Sequence, residues 1–371
     1  MGEMHSLTID RGKPLYAEPR TGHNRWHPDI KPCVRVQPDD IVTLETRDAL
    51  DGMITRDTKA ADLERIEMGR IHPLTGPVYI EGAEPGDVLE VHIISINPQS
   101  FGFTLLIPGF GILRDYFPKP FIVSWELSEH YAVSPQLPNV KIPAAPFMGV
   151  MGVAPSHDLL NRSESREADL LGRGGMVLPP SPVGAVPDTN EIAGKGLRTV
   201  PPRENGGNID IKHLTAGSTV YFPVFVPGAL FSAGDAHFAQ GDCESCGTAI
   251  EMGATLTVRF AIRKQATTTG LLRGLQFTRR EGLHPPIAAG GRFYATTGLP
   301  ITAEGRNESE DLTLAAKNAL LSMIDYLVFT YHYSREQAYA LTSVAVDLHV
   351  SELVDVPNVL VSAFLPLEVF Q

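Results

Sequence analysis

The 371-residue chain has only three cysteines, Cys33, Cys243 and Cys246, too few for a disulfide framework at this length. It lacks a basic stripe: 31 Lys and Arg face 43 Asp and Glu, a formal net charge of −12. That balance argues against a polyanion partner and against adhesion to anionic lipid, so neither nucleic acid nor a membrane is expected. The N-terminal stretch Met1 to Pro19 holds charges and no apolar core of signal-peptide length. The longest apolar runs, such as Val220 to Leu230, are broken by Pro223, Pro227 and Gly228, short of the roughly 20 residues that cross a bilayer. No Gly-rich phosphate cradle stands at a strand–helix junction and no G-x-S-x-G elbow is present. The expected address is the cytoplasm.

What is abundant are structure breakers. The 34 glycines and 30 prolines favour short strands and shaped loops over long helices. Three stretches read as strand, Pro/Gly-Asp turn and strand: Cys33–Thr46 about Pro38-Asp39-Asp40, Gly76–Ile94 about Glu84-Pro85-Gly86-Asp87, and Asp210–Val226 about Ala216-Gly217. They suggest hairpins in an antiparallel, jelly-roll-like sandwich or mixed sheet. Residues 156–206 form a Pro/Gly-rich excursion with one short charged helix near Asn161–Leu170, bordering the site or an oligomer contact. Near the C-terminus Leu312, Ala315, Ala316, Ala319, Leu320, Met323, Ile324 and Leu327 recur at helical spacing, and Ser334 with Gln337 reads as a capping box. The fold class is therefore mainly β with a smaller α+β lobe. A β-rich catalytic region covers 1–300; a helical hairpin with strands covers 301–371, packed on the sheet and not independent.

The densest polar constellation is Phe231 to Glu251. Asp235 and His237 are two apart, so an extended strand points both to one face, as a cation site requires. Gly234, Gly241 and Gly247 allow close backbone approach or positive φ. An Asp-x-His pair alone is more often a turn residue and a surface histidine; Gln240 and Glu251 nearby bring ligation level with that reading. Cys243 and Cys246 form a C-x-x-C without the second pair a zinc ribbon needs. The choice there lies between inert thiols and a cysteine nucleophile with His237 as its base. Asp51-Gly52 is a turn signature, whereas Asp48 is less easily read as one.

Several long segments resemble the acetamidase/formamidase family: Glu45–Ala49, Thr75–Asp87, Pro146–Pro155, Gly207–Leu214, Val224–Ser232, Gly234–Asp242 and Thr248–Glu251. They run in order from about residue 23 to 366. One departure is Cys243 before Glu244, where the family usually has Gly-Glu. The resemblance implies a β-rich fold with a mixed sheet, a homo-oligomer (dimer or dimer of dimers), and a divalent metal, zinc first and calcium second. It implies hydrolysis of short linear amides to ammonia and the acid. Under it, Asp48, Asp235 and His237 are assigned as metal ligands, Glu251 and Asp210 as catalytic residues with Glu251 the general base, and Asn208 and Gln240 as substrate-binding residues. The pocket for so small a substrate is expected to be tight. Alternatives are cysteine-nucleophile chemistry and a non-catalytic relative that binds a small ligand.

Overall fold

The computed structural model describes residues 2–265, 274–279 and 291–371. It is mainly β. Its principal sheet carries the sequence of neighbouring strands Leu137–Pro143, Tyr131–Ser134, Phe121–Leu127, Val88–Leu106, Glu251–Arg263, Phe231–His237, Phe147–Gly152 and Gly206–Asn208, with further strands branching from it. The strand Val88–Leu106 is the spine. Its alternating inward residues Val91 and Ile93 lie in the main core with Leu256, Val258 and Phe260 of the strand paired with it.

The Pro/Gly-Asp signals do mark turns, but the strands they join pair elsewhere. Ile41–Thr46 runs antiparallel to Glu251–Arg263, whereas Val34–Val36 runs parallel to Leu74–Ile80. Leu74–Ile80 in turn pairs with Phe231–His237, not with Val88–Leu106. Local turn chemistry reports where the chain reverses, and long-range burial chooses the partner.

The excursion at 156–206 is more ordered than its composition suggests. A helix His157–Gly172 is capped by Ser156, whose side chain accepts the Leu159 N–H, and it carries Asp158 in its first turn. It buries Leu159 and Leu160. A second helix, Asn190–Lys195, leads into a short strand, Leu197–Arg198, paired with Arg25–Trp26. Buried Arg25 donates to the carbonyls of Ser181 and Val183, fastening the loop.

The C-terminal helices are Leu312–Tyr331 and Arg335–Ala345, the second opened by the Ser334/Gln337 capping box. The first is long and apolar enough to span a bilayer by length and composition. Here its Ala315, Ala319, Leu320, Met323, Ile324 and Leu327 are buried in the same core as the main sheet. The second reaches the polar loop after His237: the Tyr339 hydroxyl donates to the Ser245 carbonyl and accepts the Leu113 N–H. Buried Lys212 adds an ion pair to Asp347, at the start of the strand Asp347–Glu352.

One buried histidine gives a pH-dependent stability. The ring nitrogens of His23 face the Arg25 carbonyl at 2.7 Å and the Ser232 hydroxyl at 2.7 Å, and burial pushes its pKa from 6.5 down to about 4. Below pH 6.5 the unfolded chain takes up a proton that the folded ring refuses. Stability from this group is whole above pH 6.5 and falls by roughly 3 kcal/mol in total as pH drops to 4. Urea midpoints measured across that window should fall less steeply in His23→Gln than in the parent; equal slopes contradict the assignment.

Candidate active site

Neighbouring strands each deliver a piece of one cavity. Phe231–His237 contributes Asp235 and His237, and Glu251–Arg263 begins with Glu251, which lies opposite His237 in the ladder. On the other side Phe147–Gly152 contributes Gly149, and Gly206–Asn208 contributes Asn208 with Asp210 just beyond. Glu244 enters from the loop after His237, and His72 from the segment before Leu74–Ile80. Asp235, His237 and Glu251 are 3%, 1% and 3% exposed, so their charges are settled among themselves and not by water.

The geometry centres on one ring nitrogen. His237 Nδ1 lies 2.9 Å from Gln240 Oε1, and the Gln240 amide nitrogen donates to the Asp210 carbonyl at 3.0 Å. A carboxamide oxygen only accepts, so Nδ1 carries the proton. His237 Nε2 then points at Asp235 Oδ1, 3.4 Å away, and Glu251 Oε2, 3.2 Å away. Glu244 Oε1 is at 3.9 Å, and Asp210 Oδ1 stands 4.0 Å from Nδ1. Among the described residues, His237 Nε2, Glu251 Oε2, Asp210 Oδ1 and Asn208 Oδ1 are buried without a hydrogen-bond partner. Glu251 Oε1 is fixed by the Ala249 N–H at 2.8 Å, leaving Oε2 as the free face.

Four carboxyl groups surround two imidazoles here, and two like charges 4 Å apart repel by about 4 kcal/mol at an effective dielectric of 20. Protonation states respond accordingly. Burial raises the pKa values of Glu251 and Asp210, with Asp235 adding repulsion. Burial and the nearby Asp210 carboxyl hold Glu244 well above the ordinary carboxylate range. Burial opposes charge on Asp235, yet His72 and His237 outweigh it and lower its pKa. Burial likewise opposes charge on His237, yet Glu251 and Asp235 raise it well above the usual value. The carboxyl groups thus favour positive charge at Nε2, whether a proton or a cation supplies it.

The backbone is bent to make this arrangement. Asp235, Asp210 and Glu244 have φ of 56°, 43° and 44°, in the left-handed region that non-glycine residues avoid. Such strain is typical of functional sites. Asp235 and His237 therefore converge through a kink and not through the regular alternation of an extended strand. Gly149 supplies the floor: a Cβ there would lie 2.6 Å from Asp210 Oδ1, 2.7 Å from Asp235 Oδ2 and 2.8 Å from His237 Cε1. Its carbonyl also accepts the N–H groups of Ile209 and Asp210. Gly149→Ala should retain the fold but displace these groups and slow turnover about a hundredfold; parental kcat with unchanged circular dichroism contradicts this.

Two residues expected in the site have other work. Asp48 stands outside the cluster: its carboxylate closes a turn, accepting the Leu50 N–H at 2.9 Å and the Gly52 N–H at 3.2 Å. Gln240 is buried with both amide ends engaged, so it positions His237 and Asp210 and does not face the cavity. Asp51, read as a turn residue, also pairs with Arg70 at 2.8 Å and accepts the Leu15 N–H. Cys246 is buried, its thiol pKa pushed up to about 11 by burial, and donates to the Leu105 carbonyl; Cys243 is exposed. Neither lines the cavity. Glu244, Gly149 and His72 are the residues the sequence reading missed. Glu244 adjoins the Gly234–Asp242 segment and Gly149 lies in Pro146–Pro155, so both were within or beside family-like stretches.

Buried carboxyl and imidazole groups that converge on one cavity within a mainly β scaffold are the groups a hydrolytic enzyme uses. The chain belongs to the acetamidase/formamidase family, whose sequence pattern matches residues 8–371. It is 34% identical to a formamidase of Methylophilus methylotrophus over 98% of this chain and 93% of that protein. It is 36% identical to an acetamidase of Mycolicibacterium smegmatis over 90% and 88%. A gamma lactamase from Delftia acidovorans superposes with a TM-score of 0.93 at 33% identity, covering 99% of this chain and 93% of its own. An acetamidase from Bacillus halodurans superposes with a TM-score of 0.56 at 27% identity, over 94% and 96%.

Proposed function

We propose that the protein hydrolyses the C–N bond of carboxylic amides to ammonia and the acid, with a divalent cation held by Asp235, His237 and Glu251. The single observation that carries this reading is the unpartnered Nε2 of His237 facing two acceptor oxygens. With Nδ1 protonated, only a proton or a cation relieves that contact, and a cation also offsets the surrounding carboxylates. One imidazole with carboxylate oxygens suits zinc better than calcium, which takes oxygen ligands. Glu251 thus serves as a ligand in place of Asp48, and the role of base passes to another residue.

Amide cleavage needs an activated water, polarisation of the carbonyl and a proton for the departing nitrogen. A cation held by Asp235, His237 and Glu251 would supply the first two, lowering the pKa of water from 15.7 toward about 7. The chain's residues do the rest. Glu244, in the cavity wall and 3.9 Å from His237 Nε2, would be ionised by a cation held beside it and so would take the proton from the attacking water and return it to the nitrogen as the C–N bond breaks. Asn208 Oδ1, unpartnered and in the wall, accepts a substrate N–H and so sets which side of the amide faces Glu244. Asp210, kept largely protonated by burial, limits the negative charge beside the nascent carboxylate.

Ammonia release from a panel of simple amides tests the reaction. Product ammonia matched by equimolar acid supports it; saturable binding with no ammonia favours a silent binding protein instead. The likeness to a gamma lactamase favours one extension, ring opening of a cyclic amide, which the same C–N chemistry permits.

A further inference from the structure

The cavity is not the tight pocket expected for formamide. Its volume is about 160 Å³, comparable to an apolar cavity of about 150 Å³ that holds benzene. It has two unlike ends. Asn208, Asp235, Glu244 and Glu251 close one, and Leu50, Ile71, Phe103, Ile107, Phe110 and Val200 line the other. The apolar end is built from a small hydrophobic cluster separate from the main core, in which Leu50, Ile71 and Phe103 are buried and Ile107 and Val200 pack against them. Of the other lining residues, Thr248 already has its hydroxyl engaged with the Leu105 N–H and carbonyl, and His72 lies toward Asp235. A formyl or methyl group leaves the apolar side chains facing trapped water, which costs the burial they are shaped to supply.

The turn Ile107–Phe110 has its own fastening. Ile107 and Phe110 are half-buried beside exposed Pro108 and Gly109, and the Phe110 N–H donates to the Ile107 carbonyl at 2.9 Å. The Phe110 ring lies over Gly247, where a Cβ would come within 2.5 Å of Cδ1. Gly247, at φ 88°, belongs to the loop that presents Glu244.

We infer that the enzyme prefers primary amides whose acyl group carries a small branched hydrocarbon, such as isopropyl, over formamide and acetamide. This rests on the amide-hydrolysis reading and adds a substrate class to it. The carboxamide sits among Asn208, Glu244 and the cation ligands, and the hydrocarbon fills the chamber toward Phe103 and Phe110. Each methylene buried there should raise kcat/KM about fourfold, until the chamber is full.

The test measures ammonia release by the purified full-length protein from formamide, acetamide, isobutyramide and cyclohexanecarboxamide. The expected result is a kcat/KM at least tenfold higher for isobutyramide than for acetamide. Val200→Phe, which narrows the apolar end, should shrink that ratio by about tenfold. Turnover that is fastest on formamide or acetamide overturns the preference and leaves amide hydrolysis standing. An unchanged ratio in a folded Val200→Phe protein overturns the placement of the acyl group. Ammonia from none of the four overturns both readings.

Discussion

Replacing His237 with alanine should abolish the cation binding proposed above and slow amide hydrolysis by more than about a thousandfold. The ring is the only nitrogen donor at ligand distance from both Asp235 and Glu251 among the described residues. Without it two buried carboxylates face each other, and burial drives them to take up protons instead of metal. The loss should show first in metal per chain by elemental analysis and then in kcat. Gln240→Leu is expected to act more mildly in the same direction, because it frees the Nδ1 proton and the ring's orientation while leaving the donor in place; such outer contacts are worth about 10–100-fold. Full metal content and activity in His237→Ala would remove the ring from the reaction.

The second large effect belongs to Glu244. Changed to glutamine, it keeps its size and its place in the strained loop but cannot carry a proton to the leaving nitrogen. Losing a general acid–base group costs about 10²–10⁴ in rate, so kcat should fall by that much while metal content holds and KM changes little. This pattern separates proton transfer from ligation: His237→Ala loses metal and rate together, Glu244→Gln loses rate alone. Loss of metal in Glu244→Gln, or an unchanged kcat, would reassign the residue.

The legible part of the site lay in one stretch of chain. Asp235, His237 and Glu251 stand within 17 positions of one another, around a turn that brings their strands together, so sequence proximity and spatial proximity agree. Asp210 came into the assignment through the family-like segment Gly207–Leu214 and not through its local pattern. Asp48 shows the limit of that logic. A carboxylate at a strand end serves a ligand or a turn equally well until the positions of the Leu50 and Gly52 N–H groups are known. Gln240 is similar: residue type marks it as able to bind an amide, but its neighbours already use both ends. Gly149 offered no chemistry to read; its importance is the space it leaves, which only three strands in register define. At the level of the fold, strand material and turns followed from β-branched residues and Pro/Gly-Asp steps. The pairing did not, because a turn between two strands fixes their connection and the buried face fixes their neighbours. The helix His157–Gly172 exceeded expectation because its caps lie outside the charged segment that signalled it.

The central claim is that Asp235, His237 and Glu251 would hold a cation whose chemistry makes the amide hydrolysable. One measurement addresses it: ammonia release from a simple amide by the parent protein before chelation, after exhaustive chelation, and after zinc is added back. Turnover should vanish with the metal and return in proportion to zinc, saturating at one ion per chain. Undiminished turnover in protein shown by elemental analysis to hold no metal would contradict it.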